Sequence, residues 1–332
     1  MSSVENVLVK IPVTEEQAAA MMATMPSATF DFAAPVGDTS RLPRTPKLDI
    51  YRERVSQADV ILGNVAPALI EASPRLQWIQ LGSAGYEAYL APGVLAPSTI
   101  VTNGTGAYGP AVAEHSFAML LSLMKRLPAY RDDQRAHAWS DEGMVSTLAG
   151  ARVLVLGAGD IGLCFARLCS AVGAACVGMR RHVSSNLTPE YAKAFERVAS
   201  MGDLSQELPK ADVVASFLPS SAETRGLVSA GFLASMKPGA YLVNAGRGDL
   251  IDQTALRAAL EEGRLAGAAL DVTMPEPLPA NDQLWDTPNL IITPHVAGFW
   301  HLHSTLERVV SLATDNLGRF ARGEGLRNLV RG

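Results

Sequence analysis

Short apolar runs alternate with longer amphipathic stretches from one end of the chain to the other. Val7-Leu-Val-Lys-Ile-Pro12 reads as a buried strand. Thr14 with Gln17 three residues on predicts a capping box, opening an Ala- and Met-rich helix that ends near Met25. Asp59-Val-Ile-Leu-Gly63, Gln77-Trp-Ile-Gln-Leu81 and Thr99-Ile-Val-Thr102 predict further strands. Tyr108 to about Arg126 predicts a long helix, with Pro110 in its first turn and the run Phe117-Ala-Met-Leu-Leu-Ser-Leu-Met124 behind it. A second alternating array starts at Arg152-Val-Leu-Val-Leu156. Its later strands are expected at Cys176–Met179, Val213–Leu218, Ala240–Asn244, Gly267–Asp271 and Leu290–Thr293, and a helix over 303–321 closes the chain. Residues 33–49 lack periodicity and read as a loop; residues 127–150 are mixed, and Trp139 among them reads as core packing.

Strands separated by helical segments imply parallel sheets covered on both faces. The expected fold class is therefore α/β, with two doubly wound parallel-sheet domains, a cleft between them, and the helix near 108–126 joining them. At 332 residues the chain is long enough for about two domains. Hydrophobic residues make up 48% and charged ones 18%, and the net charge is −5 without a dense basic tract, which argues against a nucleic-acid or anionic-membrane partner. No apolar stretch approaches about 18 residues, so no membrane span is expected. The N-terminal residues lack the basic and apolar regions of a signal peptide, and the expected location is the cytoplasm. Cys164, Cys169 and Cys176 have neither the even count of a disulfide framework nor metal-ligand spacing, and read as small packing residues; no metal is expected.

Gly157-Ala-Gly-Asp-Ile-Gly162 follows a strand and opens a helix running to about Val172. In that context Gly157 serves a tight turn, Gly159 lets a pyrophosphate approach the backbone, and Gly162 lets helix and strand pack closely. The helix N-terminus around Asp160 and Ile161 then offers N–H groups to the pyrophosphate. A site for NAD(H) ends its second strand in Asp or Glu, which binds the ribose hydroxyls. Here that strand ends in Arg180-Arg181-His182, which favours NADP(H), since arginines grip a 2′-phosphate bidentately, while NAD(H) stays possible. Ser184 and Ser185 stand ready to add hydroxyl contacts.

Three polar residues end apolar runs downstream: Arg247 in Asn244-Ala-Gly-Arg-Gly248, Glu276 in Pro275-Glu-Pro277, and His295 in Thr293-Pro-His295. Each alone is unremarkable. Together a guanidinium can clamp an acid substrate, an imidazole can move a proton, and a carboxylate beside it stabilises the protonated ring. They lie 29 and 19 residues apart, so only the fold can assemble them.

With Gly82-Ser-Ala-Gly85-Tyr, Ala113-Glu-His115, Leu218-Pro219 and Leu270-Asp-Val272 added to these motifs, the chain resembles the D-isomer-specific 2-hydroxyacid dehydrogenases over nearly its full length. The resemblance implies a flavodoxin-like substrate domain of residues 1–101 plus 299–332 and a Rossmann cofactor domain of residues 102–298. It implies that Arg247 binds a 2-oxo or 2-hydroxy acid, that His295 is the acid/base, and that Glu276 pairs with it. Backbone N–H groups at Ser83, Ala84 and Gly85 would hold the substrate carboxylate. Asp271 would contact the nicotinamide carboxamide, with Leu218, Pro219 and Ala245 lining its site. A homodimer through the cofactor domain is also implied. Arg180 departs from NAD-dependent members and brings the chain closer to NADPH-using glyoxylate and hydroxypyruvate reductases. Glu87 stands where Asp or Asn is common, and the bulky stretch Phe299-Trp-His-Leu-His303 puts Trp300 either at the pocket wall or in the core. Other readings are a formate or phosphite dehydrogenase on the same scaffold, and a dinucleotide-sensing interaction protein without turnover; the Glu276–His295 combination weighs against formate, whose enzymes carry Gln in place of that Glu.

Overall fold

The computed structural model describes residues 4–39, 52–70, 73–183, 188–298, 300 and 302–332. Ser184, Ser185, Phe299, His301 and residues 40–49 of the expected loop lie outside the described residues. The chain divides into two compact units, Met1–Tyr108 with Phe299–Gly332, and Gly109–Gly298.

In chain order the first unit holds β1 (Asn6–Val9), α1 (Glu15–Thr24), β2 (Thr29–Phe32), α2 (Arg52–Ser56), β3 (Val60–Leu62), α3 (Pro67–Ile70), β4 (Trp78–Gln80) and β5 (Ile100–Thr102). The second holds α4 (Gly109–Met124), α5 (Leu127–Ala136), β6 (Arg152–Leu156), α6 (Asp160–Ala171), β7 (Ala175–Arg180), α7 (Pro189–Ala194), β8 (Arg197–Ser200), α8 (Leu204–Glu207), β9 (Val213–Ser216), α9 (Ala230–Ser235), β10 (Tyr241–Asn244), α10 (Gln253–Glu261), β11 (Gly267–Leu270) and β12 (Leu290–Ile292). The chain then returns to the first unit with α11 (His303–Arg322) and β13 (Leu329–Arg331).

The first sheet runs β2-β1-β3-β4-β5-β13. Its first five strands are parallel in the flavodoxin-like order 2-1-3-4-5. Alternate residues of β1 serve opposite faces. Val7 and Val9 pack with Trp78 against Val309, Val310, Ala313 and Leu317 of α11. Leu8 packs with Ile61, Ile79 and Val55 on the other face. Two buried faces explain why these strands read as unbroken apolar runs. The capping box at α1 is present, with Gln17 N donating to Thr14 Oγ1 and Thr14 N to Gln17 Oε1.

The second sheet is wholly parallel, in the order β12-β11-β10-β9-β6-β7-β8. The chain runs outward through β7 and β8, then crosses to β9 and builds the other way. The topological switch therefore lies beside β6, where open α/β sheets place ligands. α4 packs on α6 and on β10, β11 and β12. Cys169 and Cys176 are buried and Cys164 is half-buried, all as free thiols. Contact with Cys176 and burial push the Cys169 thiol up, so it stays protonated and unreactive.

Four sequence expectations need correction. The first sheet is not purely parallel, because β13 pairs antiparallel with β5 after Gly323 turns the chain back at the end of α11. β2, β8 and β13, along with helix α5, were not expected as elements; the three strands all lie at sheet edges. The strand from Val213 stops at Ser216, and Phe217-Leu218-Pro219 leaves the sheet. Trp139 is not core packing: it is fully exposed, beside a helix (α5) with no buried residue.

Candidate active site

Strand register assembles what sequence separates. Met179, Leu156, Ser216, Asn244, Leu270 and Ile292 form one row across β7, β6, β9, β10, β11 and β12. The residues just past this row are Arg180, Gly157, Phe217, Ala245, Asp271 and Thr293. Nearly every candidate cofactor or catalytic residue thus sits at the carboxyl end of its strand, in the geometry expected of a dinucleotide enzyme.

At the β10–β12 end, His295 Nδ1 lies 2.8 Å from Glu276 Oε2. A carboxylate only accepts, so Nδ1 carries the proton of that bond and Nε2 is left for exchange. Glu276 Oε1 accepts from Thr273 N at 3.1 Å. Burial pushes the Glu276 carboxyl up, but the hydrogen bond and charge of His295, the Thr273 N–H and the charge of Arg247 outweigh it and hold it below its ordinary value. Glu276 is therefore ionised at neutral pH. The bonds preceding Pro275 and Pro277 are both cis.

Arg247 follows β10 in a turn braced by Asn244, which is fully buried. Asn244 Nδ2 donates to Arg247 O at 2.9 Å, and Gly246 N donates to Asn244 Oδ1 at 3.1 Å. The guanidinium donates to Gly246 O at 2.8 Å. Gly248 must be glycine for space, since a Cβ there would collide with Thr273 O. The Arg247 turn and the segment leading to Glu276 are thus in backbone contact.

His295 is a non-glycine residue at φ 51°, in the left-handed region. Its neighbours hold it there. His295 N donates to Asp271 O at 2.7 Å, Val296 N to Asp271 Oδ1 at 2.9 Å and Ala297 N to Asp271 Oδ2 at 3.1 Å. Thr293 Oγ1 also donates to Asp271 Oδ1 at 2.6 Å, and His115 Nε2 lies 3.0 Å from Thr293 Oγ1. The buried Asp271 carboxylate braces the His295 loop. Sequence reasoning placed Asn244, Thr293 and His115 in motifs but missed their bracing. The one available signal was a polar residue ending an apolar strand just before each functional turn.

The glycine loop fits a dinucleotide. Gly157 sits at φ 89°, a Cβ on Gly162 would collide with Gly157 O, and a Cβ on Gly159 would meet nothing within 4 Å. No side chain caps the N-terminus of α6 at Gly159, so its backbone opens to an anion. The Asp160 carboxylate lies elsewhere: a Cβ on Gly109, at the start of α4, would stand 2.7 Å from it. Ile161, in the first turn of α6, is half-buried. Arg180 is half-buried with its Cζ 5.0 Å from the Tyr191 ring centroid. Arg181 is exposed and paired with Glu223 at 3.2 Å. Leu218 and Pro219 follow β9, and Gly246, next to Ala245, approaches Leu218 O so closely that a Cβ would stand 2.5 Å from it.

In the first unit, each carbonyl from Gly82 to Gly85 is taken. Tyr108 donates to Gly82 O, Gly104 N to Ser83 O at 2.8 Å, Asn103 Nδ2 to Ala84 O at 2.7 Å and Ser83 Oγ to Gly85 O at 2.7 Å. Ser83 N donates to Asn64 Oδ1 at 3.1 Å. No described residue accepts from Ala84 N or Gly85 N, which leaves two adjacent N–H groups available to an anion. Glu87 accepts from Tyr86 N at 2.9 Å. Trp300 packs on the Val7–Trp78 core and hydrogen-bonds Tyr108, whose hydroxyl burial pushes up to about 12 despite that bond.

The family model for the D-isomer specific 2-hydroxyacid dehydrogenase NAD binding domain matches residues 117–297, more than half of the 332-residue chain. The chain belongs to the D-isomer specific 2-hydroxyacid dehydrogenase family. A putative 2-hydroxyacid dehydrogenase of Haemophilus influenzae is 30% identical to this dehydrogenase, over 81% of this chain and 86% of its own. Glyoxylate/hydroxypyruvate reductase B of Pectobacterium carotovorum is 31% identical, over 81% and 83%. The crystal structure of a D-isomer specific 2-hydroxyacid dehydrogenase family protein from Aeromonas salmonicida is 30% identical, covers 99% of both chains and superposes with a TM-score of 0.79. The dehydrogenase is therefore an oxidoreductase that uses a nicotinamide dinucleotide on a small hydroxy or oxo acid. Among the described residues no helix is long and apolar enough to cross a membrane.

Proposed function

We propose that the enzyme reduces a 2-oxo acid to a D-2-hydroxy acid with a preference for NADPH. The observation that carries the catalytic part is the His295–Glu276 pair at 2.8 Å, one strand end away from Arg247. When bound, the nicotinamide supplies the hydride. Arg247 clamps the substrate carboxylate and polarises the adjacent carbonyl. The proton for the forming alkoxide comes from His295 Nε2, while ionised Glu276 balances the imidazolium and fixes its orientation. The N–H groups of Ala84 and Gly85, with the Ser83 turn that shapes them, are suited to the substrate carboxylate. Trp300 serves that loop through Tyr108, its packing being more evident than a role in the pocket wall.

The preference for NADPH rests on Arg180, which ends β7 where an NAD site carries an acid. Neutralising it costs a charge-assisted bond to the 2′-phosphate, so Arg180→Ala is expected to lower NADPH selectivity roughly tenfold. The reductase relatives point to glyoxylate and hydroxypyruvate as first substrates. A homodimer is part of the proposal, because α5 buries nothing of its own, and Leu127 in it and Trp139, Met144 and Val145 after it are exposed apolar side chains suited to a second copy.

The test follows loss of reduced-nicotinamide absorbance with NADPH and NADH across glyoxylate, hydroxypyruvate, pyruvate, 2-oxobutyrate and phenylpyruvate. Turnover favouring NADPH is expected. Turnover favouring NADH overturns the Arg180 reading. Tight cofactor binding without turnover on any acid shifts the reading to a sensor, and reduction of NADP⁺ by phosphite or formate shifts it to those dehydrogenases.

A further inference from the structure

Tyr191 lies outside the strand-end row and the glycine loop, yet it touches both. It belongs to α7 and is half-buried. Its ring carries the Arg180 guanidinium, with Cζ 5.0 Å from the centroid. The same ring stacks on Phe195, centroids 6.0 Å apart at 22°. Its hydroxyl donates to Ala158 O at 3.1 Å, in the middle of Gly157-Ala-Gly159. Gly157 N and Ala158 N in turn donate to Met179 O, the residue before Arg180. Phe195 is buried against β7, where a Cβ on Gly178 would stand 3.0 Å from its ring and 2.8 Å from Ala158 Cβ. The floor under Tyr191 is therefore closely packed, and the strand end, the glycine loop and the ring close a triangle of hydrogen bonds and one cation–π contact.

We propose that Tyr191 is the positioning residue that sets cofactor specificity: its ring holds the Arg180 guanidinium for the 2′-phosphate of NADPH, and its hydroxyl ties that platform to the pyrophosphate loop. A guanidinium is planar and its N–H donors lie in that plane. Setting the guanidinium over a ring leaves its edge for a bidentate contact with phosphate oxygens. An unstacked arginine would have to be ordered at the moment of binding, which weakens the contact. The inference rests on reading Arg180 as the phosphate-binding residue.

The experiment is titration calorimetry on the full chain with 2′,5′-ADP and 5′-AMP as probes, after circular dichroism has shown each variant folded. Tyr191→Leu is expected to weaken 2′,5′-ADP roughly three- to tenfold while changing 5′-AMP less than about twofold. Tyr191→Phe keeps the ring but loses the tie to Ala158 O, and is expected to restore most of the ratio of the two affinities. Equal losses for both probes in Tyr191→Leu would show a merely structural role and overturn the inference, as would no change in either. Arg180→Ala separates the two levels of the argument. If it leaves the ratio untouched, the phosphate reading of Arg180 fails. If it abolishes the ratio while Tyr191→Leu is silent, only the role of Tyr191 fails.

Discussion

At the β10–β12 end of the second sheet, the side chains that face chemistry are held by buried polar groups; at the β7 end, Arg180 and Arg181 are held by side-chain contacts near the surface. Asn244 and Asp271 are both buried, and each spends its oxygens on the backbone of the turn that carries Arg247 or His295. Arg180 leans on a ring, and Arg181 on an exposed carboxylate. Proton transfer demands placement to within a fraction of an ångström, because a misplacement of about 1 Å can cost a hundredfold in rate. Attraction of a dianionic phosphate falls off slowly with distance and tolerates a looser grip. On the proposed roles, proton transfer at one end and phosphate binding at the other, the two ends differ in how much placement their task requires.

The largest effect should come from His295, the proposed acid/base. His295→Asn is expected to lower kcat by roughly 10²–10⁴ while leaving cofactor affinity within about twofold. Stopped-flow turnover and a cofactor titration on the same preparation check it. Parallel losses in both would mean that His295 holds the loop rather than moves the proton.

Asp271→Asn removes the brace and leaves the imidazole. Its amide would present N–H to one of the donors that the carboxylate now accepts, at a cost of about 1–3 kcal/mol in stability. The His295 loop would then relax from φ 51°, and kcat should fall roughly ten- to a hundredfold. Thermal unfolding and turnover together check this. A stable variant with unchanged kcat would show that the loop needs no carboxylate and would erase the contrast between the two ends.

What the sequence makes legible follows from burial. β1, β3, β4, β6, β9, β10 and β11 read as apolar runs because parallel strands covered on both faces admit little else. β2, β8 and β13 escape notice because they are half-exposed edge strands without an apolar run, as in Thr29-Phe-Asp-Phe32 and Arg197-Val-Ala-Ser200, whereas the edge strand β12 is legible because Leu290-Ile-Ile292 has one. The glycine loop is local and legible, since its spacing is set by one turn. Arg247, Glu276 and His295 are individually mute, and it takes the register Asn244–Leu270–Ile292 to bring their turns side by side. Asp271 as a brace is the least legible, because two of its three carboxylate partners are backbone N–H groups that any residue type supplies.

Away from both ends, Glu207 calibrates how a fully buried charge behaves in this sheet. It accepts from Arg152 at 2.7 Å, from Lys210 at 3.1 Å and from Arg197, joining β6, β8 and α8. The Arg152 hydrogen bond, against burial that pushes it up, and then Lys210 and Arg197 hold its carboxyl at about 2 rather than 4.5. A folded value below the unfolded one means stability that is complete above pH 4.5 and is lost as pH falls toward 2. The difference corresponds to at most roughly 3 kcal/mol, less once solvent around the partly exposed cations screens the pairs. Glu207→Gln should therefore be clearly less stable than the parent at pH 7, with the gap in denaturant midpoint closing between pH 4.5 and 2. A gap that does not change with pH would place the loss in packing rather than charge.

The smallest effect belongs to Arg181, and its direction is the informative part. Its guanidinium is 64% exposed and its partner Glu223 71% exposed, and Glu223 also accepts from Ser221 Oγ. An exposed pair of this kind contributes little to stability, so Arg181→Ala should leave the melting temperature within error. It should also weaken 2′,5′-ADP less than about threefold, well short of Arg180→Ala, because the Glu223 carboxylate already offsets its charge. Glu223→Gln removes that offset and should strengthen 2′,5′-ADP by a similar small factor, without moving 5′-AMP. The gain should shrink as salt rises, as expected for an exposed charge. If Glu223→Gln weakens binding instead, the carboxylate holds Arg181 in place for the phosphate, and the outer arginine is positioned by a partner just as the inner one is by Tyr191.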